Sequence, residues 1–157
     1  MAVELVRIDD RLIHGQVATS WIRTLSMEQV IVVSDVNAGD PLQKKILNMA
    51  APDGIKLHLF ATDEFIEIYS SNPIKRKTML IYTNPIEVLR CLKGGVKIDL
   101  LNVGGMKFTH GKERLSKSVS VTSEEKEAFK EIIEMGVDVE IRMLSNEKPT
   151  KLASLLT

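Results

Sequence analysis

The chain has 157 residues, and its 21 Lys and Arg balance 21 Asp and Glu, so the formal net charge is zero with the three histidines neutral. This balance argues against a nucleic-acid-binding protein, because such proteins use an excess of cations to neutralise phosphates. One cysteine, Cys91, allows neither an internal disulfide nor a thiolate zinc site. No stretch approaches the ~20 apolar residues of a membrane span, and the first seven residues have an acid and a base where a signal peptide needs an apolar stretch. The sequence therefore predicts one cytoplasmic domain over residues 1–157.

Short apolar runs alternate along the chain with segments of helical periodicity, which is typical of strands buried on both faces and covered by helices. The strand-like runs lie at 3–8, 29–34, 55–60, 78–83, 98–103, 118–122 and 137–142, and the helical segments at 15–25, 39–50, 62–70, 85–93 and 123–135. This alternation predicts an α/β fold with a mostly parallel central sheet of about six or seven strands and helices on both faces. Ligands of such sheets bind at the loops after the strands.

The loop after the first strand has the densest group of reactive side chains. It reads Arg7-Ile8-Asp9-Asp10-Arg11-Leu12-Ile13-His14-Gly15-Gln16-Val17. His14 can present an uncharged ring nitrogen near neutral pH, as a nucleophile or a proton carrier. Gly15, at the start of the next helix, lets backbone N–H groups approach an anion closely. The spacing favours a phosphate on His14.

Four charged residues of this loop allow two interpretations. The guanidinium groups of Arg7 and Arg11 suit phosphoryl oxygens, and Asp9 or Asp10 could orient the histidine or hold an arginine in place. The same four charges could equally form a structural ion network. The residues alone do not decide between these interpretations.

The whole run from Arg7 to Val17, with Trp21 after it, resembles the active-site signature of the IIB components of the mannose/fructose/sorbose family of the bacterial phosphoenolpyruvate-dependent sugar phosphotransferase system (PTS). The similarity continues through Val33-Ser34-Asp35, Asp40-Pro41-Leu42-Gln43-Lys44, Met49-Ala50-Ala51-Pro52, Asn84-Pro85 and Asn102-Val103-Gly104-Gly105-Met106. It covers essentially the whole chain and implies one PTS IIB domain over 1–157.

In that family the first-loop histidine accepts a phosphoryl group from a phosphohistidine on the IIA component and passes it to a hexose bound by the membrane components IIC and IID. The resemblance implies a protein-histidine–sugar phosphotransferase in which His14 becomes phosphohistidine and Arg11 stabilises the phosphoryl group. The further residues that it assigns to phosphoryl binding are Arg7, Asp10, Gly15 and Gln16. It implies no metal or cofactor and a cytoplasmic site of action at the inner membrane face. A homo-oligomer is compatible with it.

Three residues outside the first loop, together with Asp9, are predicted to form the edge of the site: Gly104, Gly105 and Lys107. A glycine pair can bring backbone close to a ligand, although a turn alone also explains it. These three residues belong to the loop after the fifth predicted strand, called the second loop below. Docking of a partner protein explains this loop equally well. In contrast, His58 lies between two leucines in a strand pattern, which predicts a structural histidine with satisfied hydrogen bonds.

Two other functions fit the same first loop. One is a regulatory module that is phosphorylated on His14 without moving sugar, which a gene neighbourhood lacking IIC and IID would favour. The other is a small-molecule sugar-phosphate enzyme in which His14 is a general base. Tight binding of a sugar phosphate without a phosphoprotein intermediate would favour that enzyme.

Overall fold

The computed structural model describes residues 2–156, except for the side chains of residues 16–18. The strands are β1 (Val3–Asp9), β2 (Gln29–Val33), β3 (Lys56–Phe60), β4 (Thr78–Tyr82), β5 (Leu100–Gly105), β6 (Glu113–Arg114), β7 (Ser120–Val121), β8 (Asp138–Ile141) and β9 (Thr150–Lys151). The helices are α1 (Gly15–Thr24), α2 (Asp35–Ala38), α3 (Pro41–Ala50), α4 (Thr62–Ser71), α5 (Pro85–Lys93) and α6 (Ser123–Glu134), with a final 3-10 turn at Leu152–Leu155.

Seven strands form one sheet in the order β3-β2-β4-β1-β5-β8-β9. Neighbours from β3 to β8 are parallel, and β9 joins β8 in antiparallel orientation. The predicted α/β fold with a mostly parallel sheet is confirmed. Because β1 lies between β4 and β5, the loop after it leaves the middle of the sheet's carboxyl edge. This is the edge where parallel sheets bind ligands.

The predicted strand at 118–122 is shorter than expected and lies outside the main sheet. Only Ser120–Val121 is extended there, as β7, and it pairs with β6 in a separate two-stranded unit. The segment also pairs with the residue after β5, because the Ser120 N–H donates to the Met106 carbonyl at 2.9 Å and the Met106 N–H donates to the Ser118 carbonyl at 2.8 Å.

Two apolar layers, one on each face of the sheet, define the core. One layer packs the sheet against α4, α5 and α6, and the other packs it against α1 and α3. In β1, Val6 and Ile8 point to the first layer and Leu5 to the second. Since side chains alternate along a strand, Arg7 and Asp9 also point to the face that α1 covers. The strand period thus places two charged residues under the helix that begins at the candidate nucleophile.

Side-chain caps set several helix boundaries. The Asn84 carboxamide oxygen accepts from the Glu87 N–H at 3.0 Å at the start of α5, and Thr122 and Glu125 form a reciprocal capping box at the start of α6. Helix α1 differs, because the side chain of its N-cap residue, His14, makes no capping bond. Within residues 2–156, no helix has the length and apolar character needed to cross a membrane.

His58 does not belong to the core, although apolar residues flank it. His58 lies on β3, the edge strand of the sheet, and its ring is exposed and stacked on Phe60 with 5.8 Å between ring centroids. Leu57 and Leu59 pack toward the layer under α3, and the alternation of the strand turns His58 the other way. An apolar pattern on both sides of a residue did not indicate burial, because one face of this edge strand is open.

We expect Cys91 to be unreactive in the folded protein. The side chain is buried on α5, and this desolvation raises the pKa of its thiol to about 11. The nucleophilic thiolate is therefore scarce near neutral pH, in addition to being inaccessible. A thiol-reactive disulfide should leave the native protein unlabelled. It should label one thiol per chain once guanidinium chloride has unfolded the protein. Rapid labelling of the native protein would contradict this packing.

Candidate active site

The loop between β1 and α1 contains two residues in the left-handed backbone region, Leu12 with φ 60° and Gly15 with φ 47°. This conformation costs a leucine roughly 1–2 kcal/mol. Two contacts hold it: the Leu12 N–H donates to the Asp9 carbonyl at 3.0 Å, and the Leu12 side chain is buried in the layer beneath α1. At Gly15 a Cβ would meet open space, so the backbone conformation, rather than a lack of room, favours glycine there.

His14 follows this turn and occupies the N-cap position of α1. Its Nδ1 lies 3.1 Å from the Leu12 carbonyl oxygen, which can only accept, so Nδ1 carries the proton and donates. The other nitrogen, Nε2, then holds the lone pair, and it is buried without a hydrogen-bond partner among the described residues. In this ring orientation one nitrogen is bonded to the Leu12 carbonyl and the other is covered.

Arg7 is a buried charge, 2% exposed, and all its described contacts point inward. Its Nη1 donates to the Asn102 carboxamide oxygen and, at 3.0 Å, to the Arg142 carbonyl. Its Nη2 donates to Asp9 Oδ2 at 3.2 Å and to the Met143 carbonyl at 3.0 Å. Desolvation lowers the pKa of Arg7 and the adjacent carboxylate opposes this shift, so the guanidinium stays charged. The ion-network interpretation therefore describes Arg7.

Trp21 on α1 joins this buried charge to the loop after β8. Its indole ring lies 5.5 Å from the Arg7 guanidinium and 5.4 Å from that of Arg142, measured to the ring centroid. Its Nε1–H donates to the Met143 carbonyl at 2.9 Å. The sequence motifs did not identify Arg142 or Met143, because they lie more than 130 residues after Arg7 and both bind it through backbone carbonyls.

Gly104 and Gly105 lie at the end of β5, where they pack against the buried charges and do not form a flexible turn. A Cβ on Gly104 would overlap the Arg7 guanidinium, so this glycine makes room for the buried charge. A Cβ on Gly105 would approach Asp9 Oδ1 to 3.4 Å, which is ordinary contact, and the Gly105 carbonyl accepts from the Asp10 N–H at 3.0 Å. The second glycine therefore helps to hold the first loop against β5.

The two acids of the first loop accept from backbone N–H groups, one in this loop and one after β5, and not from the histidine ring. Buried Asp9 accepts from the Arg11 N–H at 3.1 Å, and its Oδ1 lies 3.6 Å from Arg11 Nε. Asp10 Oδ2 accepts from the Lys107 N–H at 2.7 Å. Half of the Arg11 side chain remains exposed. Arg11 can therefore offer donors to a ligand while Asp9 fixes its position.

The predicted site residues thus form an inner and an outer group. Arg7, Asp9 and Gly104 lie inside and support the loop, whereas Arg11 and Gly15 reach its surface. Gln16 lies in the first turn of α1, but its side chain is outside the described residues. The side chains that the structure describes contain no group of three His, Cys, Asp or Glu placed to bind a metal ion. The guanidinium of Arg11 and the N-terminus of α1, which lies next to His14, suit a small anion.

Comparison with known protein families shows which family this chain belongs to. A family model described as "PTS system sorbose subfamily IIB component" matches residues 3–157. The chain belongs to this family. The structural resemblance is equally extensive: the IIBSor domain of the sorbose permease from Klebsiella pneumoniae superposes with a TM-score of 0.94 at 33% identity, covering 99% of this chain and 96% of that one.

Named relatives agree with this assignment. The chain is 42% identical over 159 residues to the "PTS system mannose-specific EIIAB component" of Escherichia coli (strain K12), which covers 100% of this chain and 49% of the relative. The chain therefore spans about half the length of that relative. It is 36% identical over 148 residues to the "PTS system sorbose-specific EIIB component" of Lacticaseibacillus casei, covering 94% of this chain and 90% of that one.

We expect Gly104→Ala to destabilise the PTS IIB domain by about 1–3 kcal/mol, the usual range for overpacking a filled interior. The new methyl group would displace the Arg7 guanidinium from Asp9. Gly39→Ala is the matched control, because its Cβ would meet only ordinary contacts, the nearest at 3.7 Å. The free energy of unfolding in urea measures both changes. Equal stability of the two variants would disprove the packing role of Gly104.

Proposed function

We propose that the chain is the IIB phosphotransferase of a sugar PTS, in which His14 takes a phosphoryl group from a phosphohistidine of IIA and gives it to a hexose bound by IIC and IID. One observation carries the residue assignment. The histidine stands at the N-cap of α1 between Arg11, half exposed, and left-handed Gly15. Family membership supports the reaction class, and the relatives' names supply the sugar-PTS context.

In the first transfer a lone pair on the His14 ring attacks phosphorus. The bond from phosphorus to the donor imidazole breaks, and its electron pair returns to the donor ring. The ring turns first, because Nδ1 is bonded to the Leu12 carbonyl and Nε2 is covered. Unphosphorylated His14 is thus held in a resting orientation, and the single hydrogen bond to Leu12 is a small barrier, about 1 kcal/mol, against leaving it.

Charge stabilisation comes from two sources on this chain. Arg11 supplies guanidinium donors, and the first turn of α1 supplies backbone N–H groups and the positive end of the helix dipole. Gly15 leaves the approach open because no side chain projects there. Phosphoryl transfer needs mainly positioning and charge stabilisation, so these groups suffice for the protein's part.

Arg7 has a different role from the one that the resemblance implies. Buried contacts occupy both of its terminal nitrogens, so it supports the site through Asp9, which in turn holds the backbone and Nε of Arg11. We assign Arg7 and Asp9 to positioning. Asp10 likewise holds the second loop through the Lys107 N–H, so its carboxylate does not act on phosphorus.

In the second transfer a sugar hydroxyl oxygen attacks phosphorus. The bond between phosphorus and the His14 nitrogen breaks, its electron pair returns to the ring, which has kept its own N–H proton, and the hydroxyl proton leaves to water. The ring then recovers the uncharged form in which one nitrogen can donate to the Leu12 carbonyl. The protein ends each cycle in its resting orientation.

We expect phosphoryl label from phospho-IIA to appear on the chain in an acid-labile, base-stable form and to disappear in His14→Ala. His110→Ala is the matched control, since His110 is an exposed histidine outside the first loop, and it should be labelled normally. Persistent labelling of His14→Ala would refute the assignment. A labelled chain that never loses label to sugar in membranes with IIC and IID would favour the regulatory module.

We expect Arg11→Ala to slow transfer about 100-fold, the usual effect of removing one donor to a developing charge. Stability should change by no more than about 1 kcal/mol, because Arg11 pairs with Asp9 at a half-exposed position. Rapid-quench kinetics and urea unfolding measure the two effects, with Arg23→Ala, an exposed arginine on α1, as the control. If both the rate and stability fall in proportion, Arg11 is structural.

A further inference from the structure

A cleft of about 360 Å³ opens beside the candidate site, between the loop after β1 and the segment after β5. Its size falls in the range of small-molecule sites, roughly 300–1,000 Å³. Six side chains determine its chemistry: Arg11, Met106, Lys107, Phe108, Lys117 and Met143. Three are cationic and three are apolar. Such a mixture suits a small ligand with an anionic end and an uncharged body.

The charge of the cleft favours an anion. The described lining residues include three cations, Arg11, Lys107 and Lys117. They include one acid, Asp10, whose Oδ2 already accepts a hydrogen bond from the Lys107 N–H. The cations therefore exceed the carboxylates by two. A neutral sugar alone would gain nothing from this excess, whereas a phosphoryl group would form charge-assisted hydrogen bonds with it.

The apolar part of the cleft has a defined shape. Phe108 is 51% exposed, yet the Arg114 guanidinium lies 4.9 Å from its ring centroid and holds one face. The exposed part of the ring can then pack against the C–H groups of a sugar ring. A ligand with an anionic end and an apolar face would contact both the ring and the neighbouring cations.

We propose that this cleft binds the sugar phosphate released by the transfer reaction, with its phosphoryl group at Arg11 and Lys107 and its sugar ring against Phe108. The identity of the ligand as product rests on the proposed function. Arg11 belongs both to the cleft and to the loop of His14, three residues before it. The phosphoryl group therefore keeps one cationic partner as it passes from the histidine to the sugar.

Calorimetric titration of the full chain with glucose 6-phosphate tests the proposal, with glucose and inorganic phosphate as separate arms. We expect the sugar phosphate to bind at least about tenfold more tightly than either part, because it uses both halves of the cleft. Phe108→Ala and Lys117→Gln should each weaken binding about tenfold. Lys45→Gln, an exposed lysine on α3, is the control and should bind normally.

Three results would overturn the proposal: no binding of glucose 6-phosphate, equal affinity for inorganic phosphate, or unchanged sugar-phosphate binding in Phe108→Ala and Lys117→Gln with a raised KM for phospho-IIA. The last would make the cleft a protein-docking surface.

Labelling of His14 in the same preparations separates this proposal from the function. Label without sugar-phosphate binding defeats the cleft alone, and binding without label defeats the phosphotransferase assignment.

Discussion

The site depends on the ion pair and the hydrogen bonds that hold the buried guanidinium of Arg7. A charge taken out of water destabilises a protein by several kcal/mol unless it is paired and fully hydrogen-bonded. Here Asp9 comes from the same strand, Asn102 from β5, and two carbonyl groups from the chain after β8. The charge is satisfied only when these segments assemble correctly, and Gly104 must leave it room. Burial of one arginine thus couples the sheet to the geometry of the first loop.

Asp9 links the buried charge of Arg7 to the half-exposed charge of Arg11. Two arginines in one loop repel each other, but the Asp9 carboxylate lies between them and contacts both Arg7 and Arg11. The inner cation is neutralised, and the outer one is held in place with half of its side chain exposed. The chain can therefore have zero net charge and still present positive potential at one loop, where the N-terminus of α1 adds to it.

Local sequence patterns predicted most of the fold and the surface of the site. Strand and helix periods gave boundaries within a few residues, and the loop of His14 was evident because its functional groups are consecutive. The interior could not be predicted in the same way. The contacts of Arg7 with Asn102 and the Met143 carbonyl join distant segments, and backbone acceptors have no sequence signal. The role of Gly104 was missed for the same reason, since a glycine pattern does not say which side chain needs the space.

The position of Trp21 makes the site optically accessible. It is the protein's single tryptophan, its ring lies close to two guanidinium groups, and its indole N–H donates to a carbonyl. Indole emission responds to nearby charge and to the hydrogen bond on its nitrogen. All tryptophan fluorescence therefore originates at the junction of α1 with the chain after β8, close to the loop of His14. Rearrangements there can be followed in real time without attaching a dye.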